Sequence, residues 1–329
     1  MSHTTTAYIV AAVAVLLTLT MAFGRKNKFD VAGKFVYIPG GSAGLGASLA
    51  EALLKRGAHV AIVARDAKRA EATVSHLKTF ASDSQKVFYV QADLTSRTES
   101  DAALEAASKT FGASPDYVFL CAGFSKPQYF VEASPEDLQS GLDGVYWVSA
   151  WTAHAVVKRW VKEGKKGTLT FVSSFLGYTS FAGYSPYSPG KYALRGLADS
   201  LRSELQLHDI TVHLYMPAGI LSPGYENEQK TKPGITKQIE EGDTPIAPEA
   251  AAALLIKGLE RGNYQITNDL VTDLVRVASK GPVPGNGLLD LVYGFIGFIG
   301  LPIWRADVDS KIRKAAPAVT AELKAKGVL

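Results

Sequence analysis

The sequence predicts an α/β fold, a doubly wound parallel sheet with helices on both faces. Three observations predict it. Short β-branched or aromatic runs alternate with longer helical patterns from Gly33 to about Asn268, a glycine-rich loop joins the first strand to the first helix, and polar groups suited to chemistry gather at strand ends. Strands are expected at 35–38, 60–63, 87–90, 117–120, 168–172 and 212–215, rich in Val, Ile, Phe and Tyr, as strands buried on both faces are. Helices are expected at 45–56, 67–80, 97–111, 135–162 and 187–207, runs too long for single strands. There is no short-period repeat and no low-complexity tract.

Charge and composition narrow the function. The 329 residues carry 35 Lys and Arg against 31 Asp and Glu, a formal net charge of +4. That near-balance excludes a protein that coats a polyanion, which needs a concentrated basic face, so no nucleic-acid partner is expected. With 47% hydrophobic and 20% charged residues, the chain can bury a large core. Cys121 is the single cysteine and cannot form an internal disulfide, and the six histidines show no metal-ligand spacing. Neither a disulfide-stapled domain nor a metal site is expected.

Both ends of the chain are apolar. Residues 7–23 form an apolar run followed at once by Arg25, Lys26 and Lys28. About 17 residues at a rise of about 1.5 Å reach about 25 Å, near the lower limit for a bilayer. A cleaved signal peptide is the competing reading, with Ala22 and Gly24 as small residues, but no Lys or Arg precedes the run. An uncleaved anchor is expected, with everything from Arg25 onward in the cytosol. A second run, 288–304, follows a Gly/Pro linker at 281–285; its glycines Gly294, Gly297 and Gly300 recur every third residue, and Pro302 would break a helix near its end. It reads as a poor transmembrane helix. The tail beyond carries Arg305, Lys311, Arg313, Lys314, Lys324 and Lys326, so both flanks belong on one side, and the segment would lie on the membrane or dip into it. A packed core helix or a dimer contact is the alternative. The expected division is an anchor with its basic flank (1–28), a catalytic domain (29–280) and a membrane-associating segment with a basic tail (281–329).

The loop Pro39-Gly40-Gly41-Ser42-Ala43-Gly44-Leu45-Gly46 opens directly into a helix. Its glycines permit a tight turn and let the backbone approach a pyrophosphate, whose charge a helix N-terminus favours, as in Rossmann-like domains. The spacing is GxxxGxG. At the end of the second strand stands Arg65, where a cation suits the 2′-phosphate of NADPH and a carboxylate would suit NADH. Asp66 weakens that reading, Lys68 and Arg69 reinforce it, and a solvated surface charge is the alternative for Arg65.

Tyr187 and Lys191 stand four residues apart at the start of a helix, on one face. An ammonium near a phenol stabilises the phenolate and lowers a pKa that is ordinarily about 10. Ser174, at the end of the fifth strand, can hydrogen-bond a substrate carbonyl. The glycine loop, Leu120-Cys121-Ala122-Gly123 after the fourth strand, Ser174, and Tyr187 with Lys191 together resemble the short-chain dehydrogenase/reductase superfamily over roughly residues 33–268. The resemblance implies that Tyr187 is the general acid, that Lys191 tunes it and holds the nicotinamide ribose, and that Ser174 orients the ketone. It further implies a cofactor held by Gly40, Gly44 and Gly46 with Ser42, Ala43 and Leu45 of the same loop, by Asp93 and Leu94 at the adenine, by Cys121, Ala122 and Gly123, and by Pro217 and Gly219. Pro39 replaces the family's usual Thr, and Leu120 and Cys121 its usual Asn, all structural braces. The Asn of the family's proton relay aligns with Asp143, whose alternative is a helix residue facing solvent.

The stretch 222–233 follows the sixth strand, where a substrate-covering loop belongs, and is similar to the corresponding loop of 3-ketodihydrosphingosine reductases. That resemblance implies NADPH, a long-chain lipid ketone and a place on the cytosolic face of the endoplasmic reticulum membrane. Glu226 and Glu228 could attract the substrate's ammonium, although loop carboxylates are ordinarily solvated. A reductase of another lipid ketone, such as a steroid, and a non-catalytic NADP-binding scaffold are the alternatives; a scaffold need not retain Ser174, Tyr187 and Lys191 together. By the same resemblance, helices 135–162 and 187–207 could form a homo-oligomer interface.

Overall fold

The computed structural model describes residues 29–329, so the apolar run at 7–23, with the expected anchor, lies outside the described residues. Seven strands form one sheet: β1 (Phe35–Pro39), β2 (His59–Ala64), β3 (Val87–Gln91), β4 (Tyr117–Leu120), β5 (Thr168–Val172), β6 (Thr211–Tyr215) and β7 (Gln265–Ile266), in the order β3-β2-β1-β4-β5-β6-β7. Every neighbouring pair is parallel, as the alternating pattern predicts. β7 escapes a sequence reading because two residues are too few to show a periodicity.

Alternate residues of each strand serve opposite cores. Val36, Ile38 and Ile62 point to one face, against Leu49 and Leu53 of α1 (Gly44–Leu54), Val74 of α2 (Ala67–Lys78) and Leu255 of the later helix Pro248–Glu260. Tyr37, Val63 and Val118 point to the other, against Leu104 of α3 (Arg97–Phe111), Trp160 of Val148–Glu163 and Leu194 of Ser188–Glu204. Burying one large apolar side chain contributes about 1.5–3 kcal/mol, so it is these two cores that hold the sheet between its helices.

The helix expected over 135–162 is not uniform. α4 (Pro135–Leu142), started by the Ser134 cap, passes through one wide π-type turn at Asp143–Trp147 before α5 (Val148–Glu163). In that turn Gly144 packs under Phe124, whose ring occupies the place of a side chain, since a Cβ there would lie 1.9 Å from Phe124 Cε1. α6 (Ser188–Glu204) follows β5. The stretch after β6, expected as a loop, folds into α7 (Pro223–Thr231) and α8 (Gly234–Ile239) ahead of α9 (Pro248–Glu260).

At the C-terminus α10 (Leu270–Ser279) packs on α11 (Leu289–Ala325). α11 continues through Pro302 and Pro317, so the expected break at Pro302 does not occur. A proline inside a helix removes a backbone hydrogen bond. Contacts on both sides of it offset that loss: Leu301 packs on the core, Val308 and Leu323 are buried, Arg305 Nη1 donates to Ser180 O at 2.9 Å, and Lys326 Nζ reaches Glu132 at 2.7 Å. The glycine repeat has a packing reason. A Cβ at Gly294 would touch Val277, and one at Gly297 would touch Leu274 O and Ala278, so the two helices meet nearly backbone to backbone. Arg276, 1% exposed, locks the pair through a bidentate bridge to Asp290 of α11, and Asp273 of its own helix holds the guanidinium in place.

Candidate active site

The order of strands reverses between β1 and β4, since β2 and β3 lie on one side and β5 to β7 on the other, all of them parallel. The loops leaving these two strands therefore part and open a crevice at their carboxyl ends. A cleft of about 630 Å³ occupies that position. It is lined by Gly40, Ser42, Ala43, Gly44, Leu45 and Gly46 from the first loop, by Arg65 and Arg69 after β2, and by Asp93 and Leu94 after β3. Cys121, Ala122 and Gly123 line it after β4, with Ser174, Tyr187, Lys191, Pro217 and Gly219 at its other end. One expected residue is missing from this lining. Asp143 turns away and accepts a hydrogen bond from Gln139 Nε2 at 2.9 Å, and the wide turn instead brings its neighbour Gly144 to the cleft wall.

The first loop is shaped to meet an anion. Gly40 adopts φ +78°, and a Cβ there would lie 2.5 Å from Ala122 N, so the turn requires glycine. α1 begins at Ala43 with no side-chain cap and no acidic residue in its first turn, leaving its N-terminal amides and positive dipole end to the cleft. A pyrophosphate fits such a cradle. Farther along, Arg65 Nη1 lies 3.9 Å from Asp93 Oδ2, and both side chains are exposed. Burial pushes the Asp93 carboxyl up, but hydrogen bonds from Thr95 N (3.0 Å) and Oγ1 (2.8 Å), with Arg65 nearby, outweigh it and hold the group below its ordinary value. Arg69 pairs with Asp66 at 3.7 Å, which answers Asp66's charge locally.

At the reacting end, Ser174 starts a short 3₁₀ turn after β5, and its Oγ accepts from Leu176 N at 3.1 Å. Tyr187 is the residue before α6, with Lys191 one turn on. Lys191 is buried; its Nζ sits 5.5 Å from the Tyr187 ring centre and donates to Val172 O at 3.0 Å. Burial pushes the lysine down to about 8, partly opposed by Cys121. The phenol does not follow the expected lowering. Burial pushes Tyr187 well above its ordinary value and Glu228 pushes it further, while a hydrogen bond with Ser174 offsets part of this. Burial likewise pushes the Cys121 thiol up to about 12, so it stays protonated beside Lys191.

Several lining residues carry no signal in the sequence. Phe181, Tyr184, Lys232, Glu240 and Asp243 reach the cleft only because α7, α8 with the residues after it, and the segment before Tyr187 fold over it, and Phe124 follows Gly123 after β4. Glu228 lies in this wall as well, whereas Glu226 does not border the cleft.

A dinucleotide cradle continuous with a Ser, Tyr and Lys cluster defines a short-chain oxidoreductase, and comparison with known proteins agrees. A family model described as short chain dehydrogenase matches residues 34–233. The structure is similar to a short chain dehydrogenase/reductase from Burkholderia phymatum in complex with NAD, with a TM-score of 0.68 and 18% identity over 79% of this chain and all of that one. It is also similar to an alcohol dehydrogenase from Thermococcus sibiricus complexed with 5-hydroxy-NADP, with a TM-score of 0.60 and 21% identity over 71% and 95% of the two chains. In sequence, the chain is 53% identical to a 3-ketodihydrosphingosine reductase of Cryptococcus neoformans, covering 92% of this chain and 91% of that protein. It is 36% identical to one of Aspergillus fumigatus, covering 84% and 82%. The chain belongs to the short-chain dehydrogenase/reductase family, among the 3-ketodihydrosphingosine reductases.

The buried ammonium makes a kinetic prediction. Lys191 carries its charge below about pH 8 and loses it above, because its value is lowered from 10.5. The kcat/KM for the reduced cofactor, which reports ionisations of the free enzyme, should fall as pH rises through that point. A profile with no inflection near pH 8 would show that the lysine keeps its proton.

Proposed function

We propose that this protein uses NADPH to reduce the keto group of 3-ketodihydrosphingosine, the amino ketone named for its relatives. The observation that carries the reading is the meeting of Ser174, Tyr187 and Lys191 at one end of a cleft whose other end is an uncapped helix N-terminus. When bound, the reduced nicotinamide supplies the hydride. Ser174 and Tyr187 hold the carbonyl oxygen between two hydroxyls, so the ketone faces the cofactor side of the cleft. As negative charge develops on that oxygen, the Tyr187 phenol gives up its proton and the product leaves as an alcohol. Burial suits this step, because it keeps the phenol protonated until the alkoxide forms. Lys191 then stabilises the phenolate left behind and holds the ribose of the cofactor. The wide turn brings Gly144 to the cleft wall, while Asp143 pairs with Gln139.

The test is NADPH oxidation by detergent-purified protein with 3-ketodihydrosphingosine as the sole ketone. Tyr187→Phe should lower turnover at least about 10²-fold while the cofactor still binds, since general acid catalysis is typically worth about 10²–10⁴. Near-normal turnover would reject the role of Tyr187.

NADPH rather than NADH is supported by Arg65, exposed at the cleft rim after β2. A charge-assisted contact to the 2′-phosphate contributes about 1.5–3 kcal/mol, or about ten- to a hundredfold. Titrating both cofactors should show Arg65→Ala weakening NADPH by that factor and NADH little; equal weakening would remove the assignment.

The same reading places the enzyme on the cytosolic face of the endoplasmic reticulum membrane, where its substrate lies. By length and composition α11 is apolar enough to cross a membrane. Its Leu291, Phe295, Phe298 and Ile303 are 67–80% exposed, and Arg305 ties the helix to Ser180, next to Phe181 of the cleft wall. A helix lying in the interface gives the alkyl chain an apolar route to the cleft, and each methylene kept from water is worth about 0.8 kcal/mol. Phe295→Asp combined with Phe298→Asp should lower activity on long-chain ketones far more than on a short soluble analogue. Equal losses on both would refute the route.

A further inference from the structure

Part of the cleft wall is made by α7, α8 and Tyr184, and its charges do not balance. Lys232, with a side chain 1% exposed, places Nζ 2.9 Å from Glu228 Oε1 and 2.6 Å from Glu240 Oε2. Tyr184 is 2% exposed, and its hydroxyl lies 2.8 Å from Glu228 Oε1 and 2.6 Å from Glu240 Oε1. One phenol proton thus faces two carboxylates, and one ammonium answers two negative charges. Asp243 borders the cleft a few residues on; burial, Glu240 and Asp269 push its carboxyl up, as crowded negative charge does. A pocket for a neutral lipid would gain nothing from such a surplus, because partly buried charge without a counter-charge is costly.

The surplus lies beside the reacting group. Tyr184 O accepts from Tyr187 N at 3.0 Å and from Ser188 N at 2.8 Å, and the rings of Tyr184 and Tyr187 are 6.1 Å apart. Glu228 is close enough to Tyr187 to act on its phenol electrostatically. In 3-ketodihydrosphingosine the amine is on the carbon bonded to the carbonyl carbon. Once the carbonyl oxygen meets Tyr187, the ammonium is therefore fixed in the neighbourhood of this wall.

We propose that Glu228, held in place by Tyr184 and Lys232, is the specificity-determining residue of the cleft and pairs with the ammonium beside the ketone. The proposal rests on the reading of the protein as a 3-ketodihydrosphingosine reductase. It explains a cover that carries carboxylates where an apolar lipid alone would call for none, and it makes the amine, as well as the alkyl chain, a feature the enzyme selects.

The experiment compares kcat/KM for 3-ketodihydrosphingosine and for the same hydroxy ketone lacking the amino group, with the full chain in detergent and NADPH. The wild type should prefer the amine by about ten- to a hundredfold, the range of one charge-assisted hydrogen bond. Glu228→Gln should bring that ratio close to one, chiefly through KM for the amino ketone, and Glu228→Asp should restore part of it. Equal use of both ketones by the wild type overturns the proposal without touching the reaction assignment. An unchanged ratio in a Glu228→Gln protein that melts normally overturns it too. If neither ketone supports NADPH oxidation, the reaction assignment and the proposal fall together. The wild-type ratio is measured without any variant, so a Glu228→Gln protein that fails to fold does not remove the test.

Discussion

Backbone contact between the loops that leave β1 and β4 is the constraint on which the rest of the structure depends. Gly40 packs against Cys121 and Ala122 so closely that a single methyl group would overlap the Ala122 amide, and Cys121 N donates to Pro39 O at 3.0 Å. That contact seals the floor of the crevice at the point where strand order reverses. It aims α1 at the cleft, sets Cys121, Ala122 and Gly123 along the cleft wall, and leaves Lys191 a buried place beside them. The family's polar braces are absent at Pro39, Leu120 and Cys121, so packing and main-chain hydrogen bonds do the holding. A thiol kept protonated by burial is compatible with that role, because it adds no charge next to the lysine.

What could be read from the residues follows from how local each signal is. The strands lie within a residue of their expected limits because a buried parallel strand is a run of contiguous apolar residues. The lining of the cleft near the first loop is legible for the same reason: each residue stands at a fixed offset from a strand end, as Arg65 does from β2 and Asp93 from β3. Asp143 shows where offsets fail. It stands at the start of the wide turn between α4 and α5, where Gly144 lines the cleft and Asp143 does not. No residue pattern announces that turn. Its surroundings are close-packed: Phe124 leaves no room for a side chain at Gly144, and Val145 leaves none at Gly190 of α6.

The covering wall lay beyond a sequence reading for a further reason. Tyr184, Glu228, Lys232 and Glu240 come from three segments, and only their meeting takes the glutamates out of solvent and puts Lys232 under them. As isolated loop charges, Glu226 and Glu228 look alike. The fold separates them, turning one to the cleft and leaving the other exposed. Pro302 is the opposite case: a strong local rule was overridden by contacts distant in sequence, through Arg305 to Ser180 and Lys326 to Glu132.

These pieces resolve a difficulty that any enzyme for a two-natured substrate faces. A long alkyl chain is stable only in apolar surroundings, whereas an ammonium next to the reacting ketone is stable only near water or negative charge. A uniformly greasy cleft would reject the head of such a molecule, and a uniformly polar one would reject its tail. Here the two demands fall on different elements. α11 offers an exposed apolar flank, held to the domain by the buried Arg276–Asp290 bridge and by glycines that let it sit close on α10. α7 and α8 supply carboxylates at the catalytic end. Arg305 joins the two by fixing α11 to the segment that runs through Phe181 and Tyr184 to Tyr187. Under the proposed reading, tail and head placed between these elements would orient the ketone before any chemistry begins, which is how binding energy from remote parts of a substrate is used at the reacting atoms.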